Sequence, residues 1–167
     1  WFKNGYSVGL RKDNMVSIPK MEEGKLDAQF LAAFIWQGKR DDVSSQKAVE
    51  STTRLIQSIY DEVEQYKDFC GIALTEEDLI RLKREGKKAF FIGIENGYAI
   101  GKDLKNIAKY KQMGVNYITL CHSYDNDICH SSTHTEDATE GLTRFGREVV
   151  KEMNRLGIMI DISHASE

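Results

Sequence analysis

The chain has 167 residues, of which 41% are hydrophobic and 29% charged, with a formal net charge of −3. This length and balance are typical of one globular domain with a buried core. The slightly acidic charge excludes a basic surface for nucleic acid, and no apolar run reaches the length of about 18 residues that predicts a transmembrane helix.

Short apolar segments alternate with longer amphipathic ones along the chain. The first apolar segment, 28–35, predicts a buried strand, and the spacing of apolar residues predicts a helix over 44–66 with Ser44 or Ser45 as its N-cap. Thr75 begins a second helix, because a capping hydroxyl precedes three acidic residues. The segment 70–74 is ambiguous. The remaining predictions are strands at 89–95, 115–122 and 158–164, helices at 104–113 and 143–155, and a polar loop at 123–140.

The alternation of strands and helices predicts an α/β fold with a parallel sheet. A doubly wound sheet and a (β/α)8 barrel share this order, and the pattern alone leaves both open. The strands are apolar almost throughout, which is typical of a sheet covered on both faces. Right-handed crossovers bring sequential strands side by side, so the four long apolar segments are predicted to be neighbours in one sheet.

Each of the last three predicted strands ends in a residue that can bind a metal ion, namely Glu95, His122 and His164. The carboxyl ends of parallel strands form the active-site face of barrels and the ligand edge of open sheets, so we expect the three side chains to face one cavity. Taken singly, Glu95 is also consistent with a capping or loop acid, and each histidine with a hydrogen-bonded structural residue. Their placement on one edge favours a functional site.

The polar loop contains two further patterns. The segment 125–127 (DND) begins like a calcium loop, but His130 occupies the position where that loop needs glycine, which excludes it. Cys129, His130 and His134 have a spacing that could chelate zinc, and a solvated loop is the other explanation. Sequence patterns of serine hydrolases and nucleotide-binding loops are absent.

Three segments resemble one known family. They read IGIENG at 92–97, YITLCHSYDN at 117–126 and GLTRFGREVVKEMNRLGIMIDISHAS at 141–166. They resemble the membrane (renal-type) dipeptidase family, peptidase family M19, in which one apolar strand ends in Glu, another in T-x-x-H, and a helix leads into D-[LI]-S-H. Residues 16–35 also resemble the family's second strand region, so the resemblance extends over nearly the whole chain.

The resemblance implies part of a (β/α)8 metal-dependent hydrolase barrel. It implies two zinc ions in a complete site and hydrolysis of the peptide bond of dipeptides by a metal-bound hydroxide. By motif, Glu95 resembles the carboxylate that bridges both metals, and His164 resembles one of two histidines on the second metal. His122 resembles the histidine that contacts the bound substrate.

The resemblance also implies that other parts of the site lie outside this sequence. The family's H-x-D pair would precede Trp1, and a further histidine, an arginine and a proton-handling acid would follow Glu167. We therefore expect 1–167 to be a partial barrel domain, truncated at both ends, that holds zinc weakly and lacks dipeptidase activity alone. Its open sheet edges predict that it is unstable unless it forms a homodimer or belongs to a longer chain. Asn96 stands where many members have glycine, which is expected to alter the turn beside the metals.

Two alternatives stay open. One is another metal-dependent amidohydrolase on a similar barrel, acting on a lactone or an acylated amino acid, and substrate profiling would separate it from a dipeptidase. The other is a binding protein that kept the barrel without the metals. An H-x-D pair in the whole protein would count against the binding protein.

Overall fold

The computed structural model describes residues 8–9, 14–133 and 141–166. Within these ranges the chain alternates between strands and helices, which confirms the predicted α/β class. The strands are β1 (Ala28–Phe34), β2 (Cys70–Ile72), β3 (Lys88–Glu95), β4 (Val115–Thr119) and β5 (Met159–Asp161). The helices are α1 (Ile18–Glu23), α2 (Asp42–Gln65), α3 (Glu76–Arg84), α4 (Lys105–Gln112) and α5 (Arg144–Leu156), with a 3₁₀ helix at Gly97–Ile100.

The strands are hydrogen-bonded in the order β1-β3-β4-β5, and β2 also pairs with β3. The neighbours predicted from the sequence are therefore neighbours in the sheet. β2 runs parallel to β3 with Cys70 opposite Lys88, and β4 runs parallel to β5 with Tyr117 opposite Met159. The ambiguous segment after residue 69 is thus a short strand, too short to show a period in its sequence.

The chain divides into two compact units, residues 1–31 with 56–92 and residues 32–55 with 93–167. In the first, a small apolar cluster forms around Ala73, Leu82 and Ala89. In the second, fully buried side chains come from strands, helices and loops alike, among them Ile94, Ile107, Ile118, Ile128, Val149 and Met153. Among the described residues, no helix has both the length and the apolar character needed to cross a bilayer.

Helix ends follow local capping chemistry. Thr75 accepts a hydrogen bond from Asp78 N at 3.3 Å and begins α3 as predicted. The predicted cap of α2 at Ser44 or Ser45 is wrong. The helix begins at Asp42, and the Asp41 carboxylate accepts a hydrogen bond from Ser44 N at 2.7 Å. An aspartate directly before a helix stabilises the unpaired N–H groups of its first turn, so the helix starts two residues earlier than the apolar pattern suggests.

Two predictions about the strands need correction. β4 and β5 end at Thr119 and Asp161, so His122 and His164 lie three residues beyond the strand ends and only Glu95 is a last strand residue. The apolar residues that follow β4 misled the sequence prediction, because Leu120 and Cys121 are buried in a loop. Burial on both faces is confirmed for β3. β1 is a strand as predicted, but the prediction that it is buried is wrong, because most of its residues are half-buried or exposed. The short helix α1 was not predicted.

Gly146 tests the packing of α5 against the loop before it. A Cβ added at Gly146 would lie 2.0 Å from the carbonyl oxygen of Ile128, a backbone atom that cannot rotate away. Alanine has a higher helix propensity than glycine by about 1 kcal/mol, yet we expect Gly146→Ala to lower the free energy of unfolding by about 1–3 kcal/mol. Denaturant unfolding measures this. The exposed Glu148 supplies the control, because Glu148→Ala should change stability by less than about 0.5 kcal/mol. If Gly146→Ala instead raised the free energy of unfolding, the close packing of Gly146 against the Ile128 carbonyl would be contradicted.

Candidate metal centre

One carboxylate and two imidazoles meet in the second unit. Glu95, His122 and His164 each offer one ligand atom, and these atoms all lie within 4.8 Å of one another. Glu95 Oε1 is 3.5 Å from His122 Nε2 and 3.9 Å from His164 Nε2. The two imidazole rings have centroids 4.2 Å apart. The convergence predicted from the sheet edge is therefore observed, although two of the residues reach it from loops.

Glu95 is positioned by the strand that it ends and by a sharp turn after it. Asn96 has a φ of +87°, a conformation that glycine adopts freely and asparagine tolerates better than most residues. Its side-chain oxygen accepts from Tyr98 N at 3.1 Å, which caps the following 3₁₀ helix. Two residues before Glu95, Gly93 leaves space for the ring of Tyr117, since a Cβ there would lie 1.9 Å from Tyr117 Cε1. The carboxylate is thus presented at a fixed strand end.

His122 is oriented by contacts on both sides of its ring. Its Nδ1 lies 2.9 Å from Ser123 Oγ, a hydroxyl that can either donate to or accept from the ring nitrogen. If Nδ1 donates, the lone pair of Nε2 is available to a metal ion, and if Nδ1 accepts, Nε2 carries a proton that it can donate. Phe34 and Trp36 flank the ring, with centroids 5.0 Å and 6.2 Å from it.

His164 lies in a turn that Asp161 organises. Asp161 Oδ1 accepts from the backbone N–H of Ser163 at 2.9 Å and from its hydroxyl at 2.7 Å, and Oδ2 accepts from Thr119 Oγ1 at 2.6 Å. Burial by itself would raise the pKa of Asp161. The hydrogen bonds from Thr119 and Ser163 and the nearby His164 outweigh it, so the pKa of Asp161 is lowered from its usual value.

The charges around the cluster favour a cation. Among the described residues, no lysine or arginine forms an ion pair with Glu95. Burial raises the pKa of Tyr117, and the nearby negative charges of Glu95 and Asp161 raise it further. One carboxylate oxygen and two imidazole nitrogens are ligands that zinc prefers. The residues present therefore fit a divalent metal such as zinc.

The loop pattern of Cys129, His130 and His134 can be followed only in part, because His134 lies outside the described residues. Cys129 is buried and its thiol hydrogen-bonds that of Cys121, an interaction that raises the pKa of Cys129. The ring of His130 lies 3.8 Å from Asp125 Oδ2. In the described part of the chain, Glu95, His122 and His164 form the only group of three such residues that could hold a metal ion.

Several residues around the cluster were not found from the sequence. Phe34 and Trp36 come from the end of β1 and the segment after it, and Ser123 follows His122 directly. Asp161 stands three residues before His164, and the D-x-S-H spacing was the one available sign of its contact with Ser163. For Trp36 no sequence signal existed, because an exposed aromatic residue after a strand belongs to no periodic pattern.

Comparison with known proteins identifies the family. The family of membrane dipeptidases, peptidase family M19, matches residues 4–167. The chain belongs to the membrane dipeptidase family. Dipeptidase tcpJ of Claviceps purpurea (strain 20.1) is 30% identical over 156 residues, which cover 91% of this chain and 37% of that protein. Dipeptidase 3 of Rattus norvegicus is 32% identical over 157 residues, which cover 90% of this chain and 30% of that protein.

A solved structure of this family agrees with the fold. The probable dipeptidase PvdM from Pseudomonas aeruginosa is 28% identical and superposes with a TM-score of 0.85, covering 98% of this chain and 43% of that chain. This member of the membrane dipeptidase family therefore has the strand and helix order of part of a (β/α)8 barrel. It spans roughly a third of the length of the two curated relatives, 37% and 30%.

Asp161 yields a prediction about pH. A carboxylate whose pKa is lowered by folding contributes stability above its unfolded pKa and loses it as pH falls through the folded pKa. At pH 7, Asp161→Asn should lower the free energy of unfolding by up to about 1 kcal/mol, because solvent weakens the contacts of this partly exposed carboxylate, and the difference should shrink below about pH 4. Denaturant unfolding of both proteins from pH 7 to pH 3 measures it. Asp68→Asn, at an exposed position, is the control and should give a small difference throughout. If the difference in the free energy of unfolding between Asp161→Asn and the parent protein grew as the pH falls, the stabilising role of the hydrogen bonds to Asp161 would be contradicted.

Proposed function

We propose that the protein carrying this chain is a zinc-dependent dipeptidase, which hydrolyses the peptide bond of dipeptides. The observation that carries the proposal is the cluster of Glu95, His122 and His164, whose ligand atoms lie within 4.8 Å of one another in a chain of the membrane dipeptidase family. We propose further that residues 1–167 contribute to a (β/α)8 catalytic domain and that a complete site binds two zinc ions.

In this proposal Glu95 and His164 are metal ligands. Glu95 has the shortest contacts to both imidazoles through the same oxygen, Oε1, which supports its role as the shared carboxylate. The turn formed by Asp161 and Ser163 holds His164 so that its ring faces Glu95. Zinc bound here would supply a Lewis acid that lowers the pKa of a water molecule and polarises the peptide carbonyl.

His122 is proposed to contact the substrate. Its ring borders the metal-binding atoms on one side and the aromatic rings of Phe34 and Trp36 on the other, which is where a bound dipeptide would pass. When Nδ1 accepts the hydrogen bond of Ser123, Nε2 carries the proton and can donate it to an oxygen of the substrate. Such a donor stabilises negative charge that develops on a carbonyl oxygen during attack.

Zinc content and hydrolysis test the proposal together. Glu95→Gln keeps the size of the side chain and removes its charge, so the purified protein should lose bound zinc by elemental analysis. The rate of Ala-Ala hydrolysis should fall by at least about 100-fold. Mutation of a residue that only hydrogen-bonds to a metal ligand already lowers metal affinity or activity by about 10–100-fold. Glu148→Gln removes an exposed glutamate of the same unit and should change neither quantity.

Other outcomes would identify another function. Faster turnover of a lactone or an acylated amino acid than of any dipeptide would favour a different amidohydrolase. A parent protein with no metal and no hydrolysis would favour a binding protein on the same barrel. Dipeptide hydrolysis that survives both Glu95→Gln and chelation of metal would contradict the assigned role of the cluster.

A homodimer of residues 1–167 taken alone is a further part of the proposal. Support comes from two exposed apolar side chains at and after β5 in these residues, since Met159 is 53% and Ile162 is 71% exposed. Light scattering on purified residues 1–167 should give twice the mass of one chain, and Ile162→Asp should shift it toward the monomer. Phe69, an exposed aromatic residue of the other unit, is the control, because Phe69→Asp should leave the mass unchanged. A monomer of residues 1–167 would contradict the homodimer and would leave the proposed chemistry unaffected.

A further inference from the structure

Trp36 is a large apolar side chain that stands beside the candidate metal centre with most of its surface exposed. It is 75% exposed, although tryptophan is usually well covered in folded proteins. Its ring lies edge-on to Phe34, with centroids 5.1 Å apart and an interplanar angle of 76°. It also lies edge-on to His122, at 6.2 Å and 80°. We call the surface formed by Phe34, Trp36 and His122 the aromatic wall.

The position of Trp36 separates it from other exposed apolar residues. Single exposed apolar side chains are common on protein surfaces and by themselves indicate nothing. Trp36, however, contacts His122, and His122 Nε2 lies 3.5 Å from Glu95 Oε1. A ligand that touches the metal-binding atoms and extends past His122 would therefore meet the indole, and covering an aromatic side chain removes a large apolar area from water.

The residues around the aromatic wall indicate which chemical group of a dipeptide would pack against it. A surface pocket of about 540 Å³ is lined by residues that directly follow Trp36 and His122 in the chain, including Gln37, Ser123 and Asp125. Its lining includes hydrogen-bonding and charged side chains, which suit the amide and charged groups of a dipeptide. An apolar side chain is the group that matches the wall.

We propose that Trp36 is a specificity-determining residue, against which an aromatic or large aliphatic side chain of the dipeptide packs. The inference rests on the proposed dipeptidase function and names the class of dipeptide that the site prefers. Aromatic pairs contribute attraction beyond their buried area, so the preference should be strongest for dipeptides that contain phenylalanine.

The first experiment measures selectivity in the protein carrying this chain. The quantity is kcat/KM for Ala-Phe and for Phe-Ala, each divided by kcat/KM for Ala-Ala. For at least one of the two phenylalanine dipeptides, Trp36→Ala should lower this ratio by about tenfold, the scale of discrimination that apolar pockets reach. Most of the loss should appear in KM. Trp36→Phe keeps an aromatic ring and should retain most of the ratio, and Phe69→Ala should not change it.

A merely structural role for Trp36 gives a different result. If the indole only supports the ring of His122, Trp36→Ala should lower kcat for all three dipeptides by the same factor and leave the ratio unchanged. That outcome would overturn the inference. Zinc content is measured in parallel, because a variant that has lost metal reports on the metal centre instead of on selectivity.

A binding experiment separates this inference from the proposed function. Residues 1–167 contain two tryptophans, so Trp1→Phe leaves Trp36 as the sole indole of this segment, and the same titration of the double variant Trp1→Phe, Trp36→Phe gives the signal of any other fluorophore in the protein. The reduced-amide analogues of Ala-Phe, Phe-Ala and Ala-Ala, which cannot be hydrolysed, are titrated against this variant. We expect Trp36 emission to change until the site is saturated. For at least one phenylalanine analogue, the concentration that gives half of this change should be about tenfold lower than for the Ala-Ala analogue. A protein without dipeptidase activity that still shows this change would refute the proposed function alone, whereas no change with any phenylalanine analogue would overturn the inference.

Discussion

The contact of one carboxylate with two imidazoles is the interaction on which the candidate site depends. Glu95 ends β3, the strand of the sheet with the most buried residues, so its backbone has little freedom to move. Its carboxylate lies beside His122 and His164, and no lysine or arginine in the described part of the chain pairs with it. A carboxylate and two neutral imidazoles together carry one negative charge, which a divalent cation would compensate better than any neighbour present.

The two histidines depend on loops that are held by hydrogen bonds instead of by strand pairing. Buried Asn126 accepts from Ile128 N at 2.8 Å and donates to Leu120 O at 2.8 Å, so it fixes the start of the loop after β4. Ser131 Oγ donates to His122 O at 2.7 Å, and Ser132 N donates to His164 O at 2.7 Å. In the described part of this loop, up to residue 133, the backbone groups find hydrogen-bond partners one by one although the sequence has no periodicity.

Local patterns predicted the parts of the fold that depend on local chemistry. β3 and Glu95 at its end were predicted because an apolar β-branched run is followed by an abrupt turn, and Thr75 was recognised by its capping hydroxyl. The end of β4 could not be predicted in this way, since burial continues at Leu120 and Cys121 after strand pairing stops. The end of β5 was missed for another reason, because the apolar Ile162 continues the sequence pattern although its side chain is exposed. The convergence of the three site residues followed from parallel topology, whereas the contacts of Trp36 depend on tertiary packing that no local pattern records.

The backbone of His164 couples the stability of the fold to the presence of its imidazole. Its φ is +66°, a left-handed conformation that costs a residue with a side chain about 1–2 kcal/mol relative to the usual one. Glycine would remove this strain and the imidazole with it. Selection for stability alone would therefore favour losing the histidine at this position. A histidine that persists there in related sequences would indicate selection for its side chain, at the expense of a more stable turn.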